Sequence, residues 1–176
     1  MTNTKLSIEE IGLYAEDLLL EIQSDINKLT EYTTFDAVDK LDEINQKLDL
    51  ARGYGLNVEL LDNQILDFRL ILFGNDYDYM MEKIQNEQDK YEFDTSRIDN
   101  EYTDLLAEKK VNHAELIHKM KVLRGEVLKS KIKFMIRNLS EGELNSGFTF
   151  DRIAIEVEKA KEMGLDMTDI EQMIYE

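Results

Sequence analysis

The sequence has no cysteine and no proline, and only 8 glycines in 176 residues. Without cysteine there is no disulfide, no thiolate metal ligand and no cysteine nucleophile, a composition that fits a reducing compartment. Without proline, and with so little glycine, the tight turns of an all-β or α/β fold have few residues to build them. The expectation is an all-α protein. Long apolar runs are missing as well. The longest, around Leu70 to Phe73, is far too short to cross a bilayer. The opening residues, MTNTKLSIEE, hold no apolar stretch, so no signal peptide is expected and the localisation expected is cytoplasmic.

What the chain has in excess is negative charge. The net charge is −17, from 38 acidic and 21 basic residues. It is unevenly spread: residues 1–106 carry −16, residues 107–137 carry +6, and residues 138–176 carry −7. Nucleic acid and anionic membrane are repelled by all but the central segment, whereas basic surfaces are attracted. Solubility alone is the plainer use of such charge. Apolar residues make up 43% of the chain, which excludes wholesale disorder. The length suffices for one domain with a real core or for two small helical units.

Ser7-Ile8-Glu9-Glu10 spells a capping box, with Ser7 as cap and Glu10 reaching back. Ile8, Ile11, Ala15, Leu18, Leu19 and Ile22 then recur at helical spacing, fading near Thr30. A second helix is expected from Phe35 to Arg52, facing inward with Phe35, Val38, Leu41, Ile44, Leu48 and Ala51, and stopped by Gly53 and Gly55. A third begins near Asn57, holds Val58, Leu61, Ile65, Phe68 and Leu72, and ends at Gly74.

The junction of helices two and three recurs near the C-terminus. Residues 42–65 align without a gap on residues 151–174, matching Ile44 with Ile153, Leu48 with Val157, Ala51 with Ala160, and Gly55 with Gly164. Leu56 with Leu165, Asn57 with Asp166, Leu61 with Ile170 and Ile65 with Ile174 complete the match. In each copy glycine suits a left-handed position after a helix, the next leucine packs back, and Asn57 or Asp166 caps the following helix. Each copy reads as a helical hairpin, the product either of duplication or of one common solution found twice. Two copies are too few for a solenoid.

Between them, Tyr77, Met81, Ile84, Gln88, Tyr91, Thr95, Ile98, Tyr102 and Leu105 alternate at spacings of four and three, a coiled-coil-like seam interrupted by Gln88 and Thr95. A second stripe follows: Leu116, Met120, Leu123, Val127, Leu128, Ile132, Met135 and Leu139. One helix over 77–139 would be about 95 Å long and could not bury its seam without a partner chain. A break is therefore expected near Ser96, where Ser96 and Asp99 read as a cap, or near Asn112.

Chemistry is thinly represented. Glu115 and His118 share the Glu-x-x-His spacing of di-iron bundles, but only one copy occurs, and His113 lies on a different face. Asp76-Tyr77-Asp78 and Asp166-Met167-Thr168-Asp169 lack the glycine and distal glutamate of a calcium loop and suit helix N-termini instead. There is no phosphate-binding glycine loop, no HExxH and no nucleophile elbow. No catalytic residue, metal or cofactor is expected.

Two charged features remain. Lys119, Lys129, Lys133 and Arg137 form a basic stripe, expected to pair with the protein's own acidic helices, in the same chain or in a second copy, rather than with DNA. Asp36, Asp39, Asp42 and Glu43, with Glu156, Glu158 and Glu162 in the repeat, are expected on the outer sides of the hairpin helices. Carboxylates on a rigid helix can occupy a groove meant for phosphates. In composition the chain is similar to small, acidic, cysteine-free proteins of phages and mobile elements that block restriction or CRISPR nucleases. No motif accompanies that likeness.

The sequence thus predicts an all-α protein: an N-terminal hairpin unit over 1–75, a coiled-coil-like region over 76–140, basic in its second half, and a C-terminal hairpin over 141–176. The expected function is non-catalytic: an inhibitor that fills the basic, nucleic-acid-binding surface of a protein partner such as a nucleic-acid-processing enzyme, with no membrane contact. The alternative is a structural adaptor that self-associates into a homo-oligomer through Tyr77, Met81, Ile84, Tyr91, Ile98, Tyr102 and Leu105.

Overall fold

Apolar residues three and four apart make most of this chain helical. A computed structural model describes residues 8–32, 34–87, 90–140 and 149–175. Among these residues there are seven α-helices and no strand, so the protein is all-α. They are α1 (Ile8–Lys28), α2 (Thr34–Gly53), α3 (Glu59–Asn86), α4 (Ser96–Ala107), α5 (His113–Ser140), α6 (Phe150–Glu162) and α7 (Thr168–Tyr175). A 3-10 turn, Leu29–Glu31, closes α1. None of these helices is long and apolar enough to cross a membrane. Two compact units divide the chain between Leu72 and Phe73, and the second contains both the middle stretch and the C-terminal helices.

The first unit packs α1 on α2. Its core joins Leu18, Ile22, Ile26 and Leu29 to Ala37, Leu41, Ile44, Leu48 and Ala51, and to Val58, Leu61, Ile65 and Leu72 of the segment that opens α3. The expected inner face of α2 needs one correction: Val38 is 43% exposed, and Ala37 is buried in its stead. Steps of three drift by about 60° per step against a 3.6-residue turn, so extending the stripe back from Leu41 requires a step of four. Ser7 lies outside the described residues, as do the side chains of Glu10 and Phe35.

The two repeated turns share their principal backbone bonds. Gly55 and Gly164 take φ of 77° and 75°, the left-handed region that glycine enters without steric penalty. Leu56 N–H donates to Ala51 C=O and Leu165 N–H to Ala160 C=O, each at 3.1 Å. Gly55 N–H reaches Arg52 C=O at 2.9 Å and Gly164 N–H reaches Lys161 C=O at 2.8 Å, the paired bonds of a Schellman motif. Asn57 Oδ1 accepts from Glu59 N–H and Asp166 Oδ1 from Thr168 N–H, both at 3.0 Å. The side chains repeat too. Arg52 bridges Asp49 and Asp62, as Lys161 bridges Glu158 and Glu171 at the matching positions.

In the second unit α5 packs against α4, α6 and α7. One core cluster joins Ile132 and Met135 to Ile153, Val157, Ala160, Met167 and Ile170. Gly125, midway along α5, lets the methyl groups of Leu165 approach the helix backbone.

Gly74 does not end a helix. α3 runs through it to Asn86, because Phe73, Met80 and Ile84 continue a buried stripe whose packing outweighs the helix penalty of one glycine. The expected seam is divided between helices, with breaks before Ser96 and around Asn112. Tyr77, Met81 and Ile84 stand on α3, Tyr91 lies in the connecting segment, Ile98, Tyr102 and Leu105 are on α4, and Gln88 falls outside the described residues. The backbone leaves helix after Asn86 and again between Ala107 and His113. Asp94, not the expected Ser96–Asp99 pair, restarts the helix: its Oδ1 accepts both the N–H and O–H of Ser96, while Thr95 Oγ1 donates to Asp99. On α5, Ser130 is buried with its Oγ accepting from Lys90 N–H at 3.1 Å and donating to Lys90 C=O at 3.2 Å, and Tyr91 meets Phe134. One hydroxyl thereby satisfies both backbone groups of a residue outside any helix.

Candidate functional site

The position of each charged side chain follows from which face of its helix is buried. On α2, Asp36, Asp39 and Glu43 fall within about 60° around the axis, and Asp42 lies about 60° beyond. Ala37, Leu41, Ile44 and Leu48 are buried on the opposite side, and all four carboxylates are exposed. Glu43 takes a bond from Lys40 at 2.5 Å, and that bond holds the lysine above its ordinary range. Among the described residues no cation pairs with Asp39 or Asp42.

The repeat copy behaves differently. Glu158 and Glu162 are exposed, and Glu158 lies 3.5 Å from Lys161. Glu156, expected on the outer side, is only 16% exposed and turned toward α5, where Lys131 Nζ donates to it at 3.1 Å. Burial pushes its carboxyl up, but Lys131 and Lys159 outweigh burial and hold it below the usual range. The cause is position: Glu156 precedes the core residue Val157 and stands at the border of the buried face.

The basic stripe is engaged within the chain. Lys133 reaches Asp169 at 2.7 Å and keeps that carboxyl ionised to lower pH than usual. Lys119 lies 3.4 Å from Glu115 and over the Tyr77 ring, and Lys129 lies 3.8 Å from Glu126. Arg137 is exposed. Beside the stripe, Arg124 donates to Asp99 at 2.7 Å. The positive segment 107–137 thus meets carboxylates of α4, α6 and α7. The seam is likewise used inside the second unit, since Ile84, Ile98 and Leu105 are buried there.

Two ionic contacts escaped sequence reasoning. Asp76 is buried and accepts from Arg97; burial raises its pKa and the nearby guanidinium opposes the rise. The signal was its place on the stripe Phe73–Met80–Ile84, where one carboxylate interrupts apolar residues. Lys47 Nζ donates to Glu21 at 2.5 Å and Asp25 at 2.6 Å, its pKa raised first by Asp25 and then by Glu21. His113 contacts the Glu108 carbonyl oxygen at 2.8 Å, and His118 is exposed. Among the described residues, no three His, Asp or Glu side chains are grouped to hold a metal ion, and no buried side-chain nitrogen or oxygen lacks a hydrogen-bond partner. No protein-family model, no curated protein and no solved structure matches the chain.

Proposed function

We propose that this is a non-catalytic interaction protein whose acidic helical surface occupies the basic, nucleic-acid-binding surface of a protein partner, as an inhibitor of the anti-defence kind would. The observation that carries the reading is the allocation of charge. Arg124, Lys131 and Lys133 of α5 reach carboxylates of α4, α6 and α7, and Asp36, Asp39, Asp42 and Glu43 stand exposed on α2, opposite its buried face. A row of carboxylates on one helix face offers lysines and arginines of a partner the same sign of charge as a phosphate backbone. Association driven this way is steered by charge over about a Debye length and weakens as salt rises.

The test uses the intact chain immobilised as bait in an extract of its native host. Retained protein is expected to be a nucleic-acid-handling enzyme, to elute with moderate salt, and to be displaced by double-stranded DNA. Replacing the four α2 carboxylates by Asn and Gln is expected to abolish retention. Binding that survives those substitutions, or that salt leaves unchanged, would overturn the reading.

A further inference from the structure

The repeated turn has a third, incomplete counterpart inside α3. Gly55-Leu56-Asn57 and Gly164-Leu165-Asp166 share a glycine and a capping residue two positions later, and Gly74-Asn75-Asp76 has the same pair at the same spacing. The likeness continues downstream. Val58, Leu61 and Ile65 follow Gly55 by three, six and ten residues, as Met167, Ile170 and Ile174 follow Gly164 and as Tyr77, Met80 and Ile84 follow Gly74. Met80 and Ile84 are buried, as Leu61, Ile65 and Ile170 are. Upstream the likeness ends, with Asn63 and Asp67 where the hairpins have Ile44 and Leu48, or Ile153 and Val157.

In both turns the residue after the glycine is a leucine that packs back on its own core. In α3 it is Asn75, which is exposed. The left-handed turn therefore has its glycine and its cap in α3, but no apolar residue to hold it closed. Against the turn, Leu72 and Phe73 are buried just before the glycine, and Asp76 accepts a bond from Arg97 of α4. The continuous helix that results is costly at this place, because Gly74, Asn75 and Asp76 are three successive poor helix formers. A Cβ added at Gly74 would meet no atom within 4 Å, and the two compact units divide between Leu72 and Phe73.

We propose that α3 is a two-state element: besides the continuous helix it populates a minor state broken at Gly74, in which that glycine takes a left-handed φ and Asp76 leaves Arg97 to cap a helix running from Tyr77. This is a hinge of the kind in which a few residues absorb the whole φ/ψ change. It goes beyond the proposed function, because the acidic face of α2 takes no part in it.

The test is native-state hydrogen exchange of the intact protein, read residue by residue by NMR. In the broken state the amides of Asp76 and Tyr77 lose their helix bonds. Corrected for intrinsic rates, they are expected to exchange at least about tenfold faster than the amides of Phe68 to Leu72 on one side and of Met80 to Ile84 on the other. Gly74→Ala disfavours the left-handed φ and is expected to slow Asp76 and Tyr77 at least about fivefold more than it slows those flanks. Asn75→Leu supplies the missing apolar residue and is expected to speed both amides about threefold, although leucine is the better helix former. Uniform protection along α3, an equal effect of Gly74→Ala on all its amides, or slower exchange in Asn75→Leu would each overturn the proposal.

Discussion

Gly125 offers a sharp test of how the repeated turn is held in the second unit. A Cβ built there would stand 2.5 Å from Cδ2 of Leu165, 3.3 Å from Cδ1 and 3.5 Å from Cγ. Rotating that methyl group away leaves Cδ1 in tight contact and Cγ in ordinary van der Waals contact, so the leucine end must shift within the cluster it packs against. Gly125→Ala gains about 1 kcal/mol of helix propensity. Overpacking typically costs about 1–3 kcal/mol. The expected net effect is a loss of about 1 kcal/mol. Gly74 in α3 supplies the control, since its added Cβ meets nothing within 4 Å. Gly74→Ala should therefore stabilise by about 0.5–1 kcal/mol, the propensity term alone. In a Leu165→Ala background, itself weakened by the lost burial, Gly125→Ala should become stabilising, giving a coupling of about 2 kcal/mol in the double-mutant cycle. Because the chain has two compact units, one melting temperature mixes them; hydrogen exchange of α5–α7 amides reads the second unit alone. If Gly125→Ala stabilises with Leu165 in place, Leu165 does not rest on the glycine and the account fails.

Other perturbations separate the remaining interactions. Arg97→Ala strands a buried carboxylate and should cost about 3 kcal/mol, whereas Asp76→Asn leaves an arginine 38% exposed to water and should cost about 1 kcal/mol; equal losses in urea unfolding would refute the asymmetry. The Arg97→Ala penalty should also shrink in acid: a carboxyl whose folded pKa is raised carries its full penalty above that pKa and loses it as both states become protonated. Glu156 has the opposite sign. Its folded pKa is depressed, so its contribution is present above the ordinary 4.5 and disappears as pH falls through the lower folded value. The stability gap between the wild-type protein and Lys131→Met should therefore close below about pH 4.5, and a gap independent of pH would dismiss the ion pair. Gly55→Ala and Gly164→Ala should each cost about 1–2 kcal/mol, measured by urea unfolding, because both glycines hold positive φ.

The sequence was most legible where the pattern was local. Helical class, the buried faces of α1, α3 and α5, and both glycine turns follow from spacing and from the φ preference of one residue type. The running of α3 through Gly74 was not legible, since whether one glycine stops a helix depends on whether Phe73 and Met80 find something to pack on. The break after Asn86 disturbed no rhythm: the spacing of Tyr77 to Leu105 passes straight through a segment fastened by Ser130, forty residues away from Lys90. Of the candidate surface, the four carboxylates of α2 could be placed from helical angles alone. Glu156 could not, because its environment is set by Lys131, twenty-five residues earlier.

That same position explains how two helix pairs joined by the same turn keep to their own cores. Glu156 is the repeat counterpart of Lys47, so one copy places a carboxylate where the other places an ammonium. Each finds opposite charge on the helix it packs against: Lys47 meets Glu21 and Asp25 of α1, and Glu156 meets Lys131 of α5. If the pairs exchanged packing helices, Lys47 would confront Lys131, and Glu156 would confront two carboxylates. The identical apolar matches, Ile44 with Ile153 and Ala51 with Ala160, do not distinguish the two cores. A repelled, half-buried charge pair costs more than the modest gain of a correct one, so the inversion acts mainly against the wrong pairing. The basic character of α5 and the acidic character of α1 thus serve the fold itself, each within its own unit.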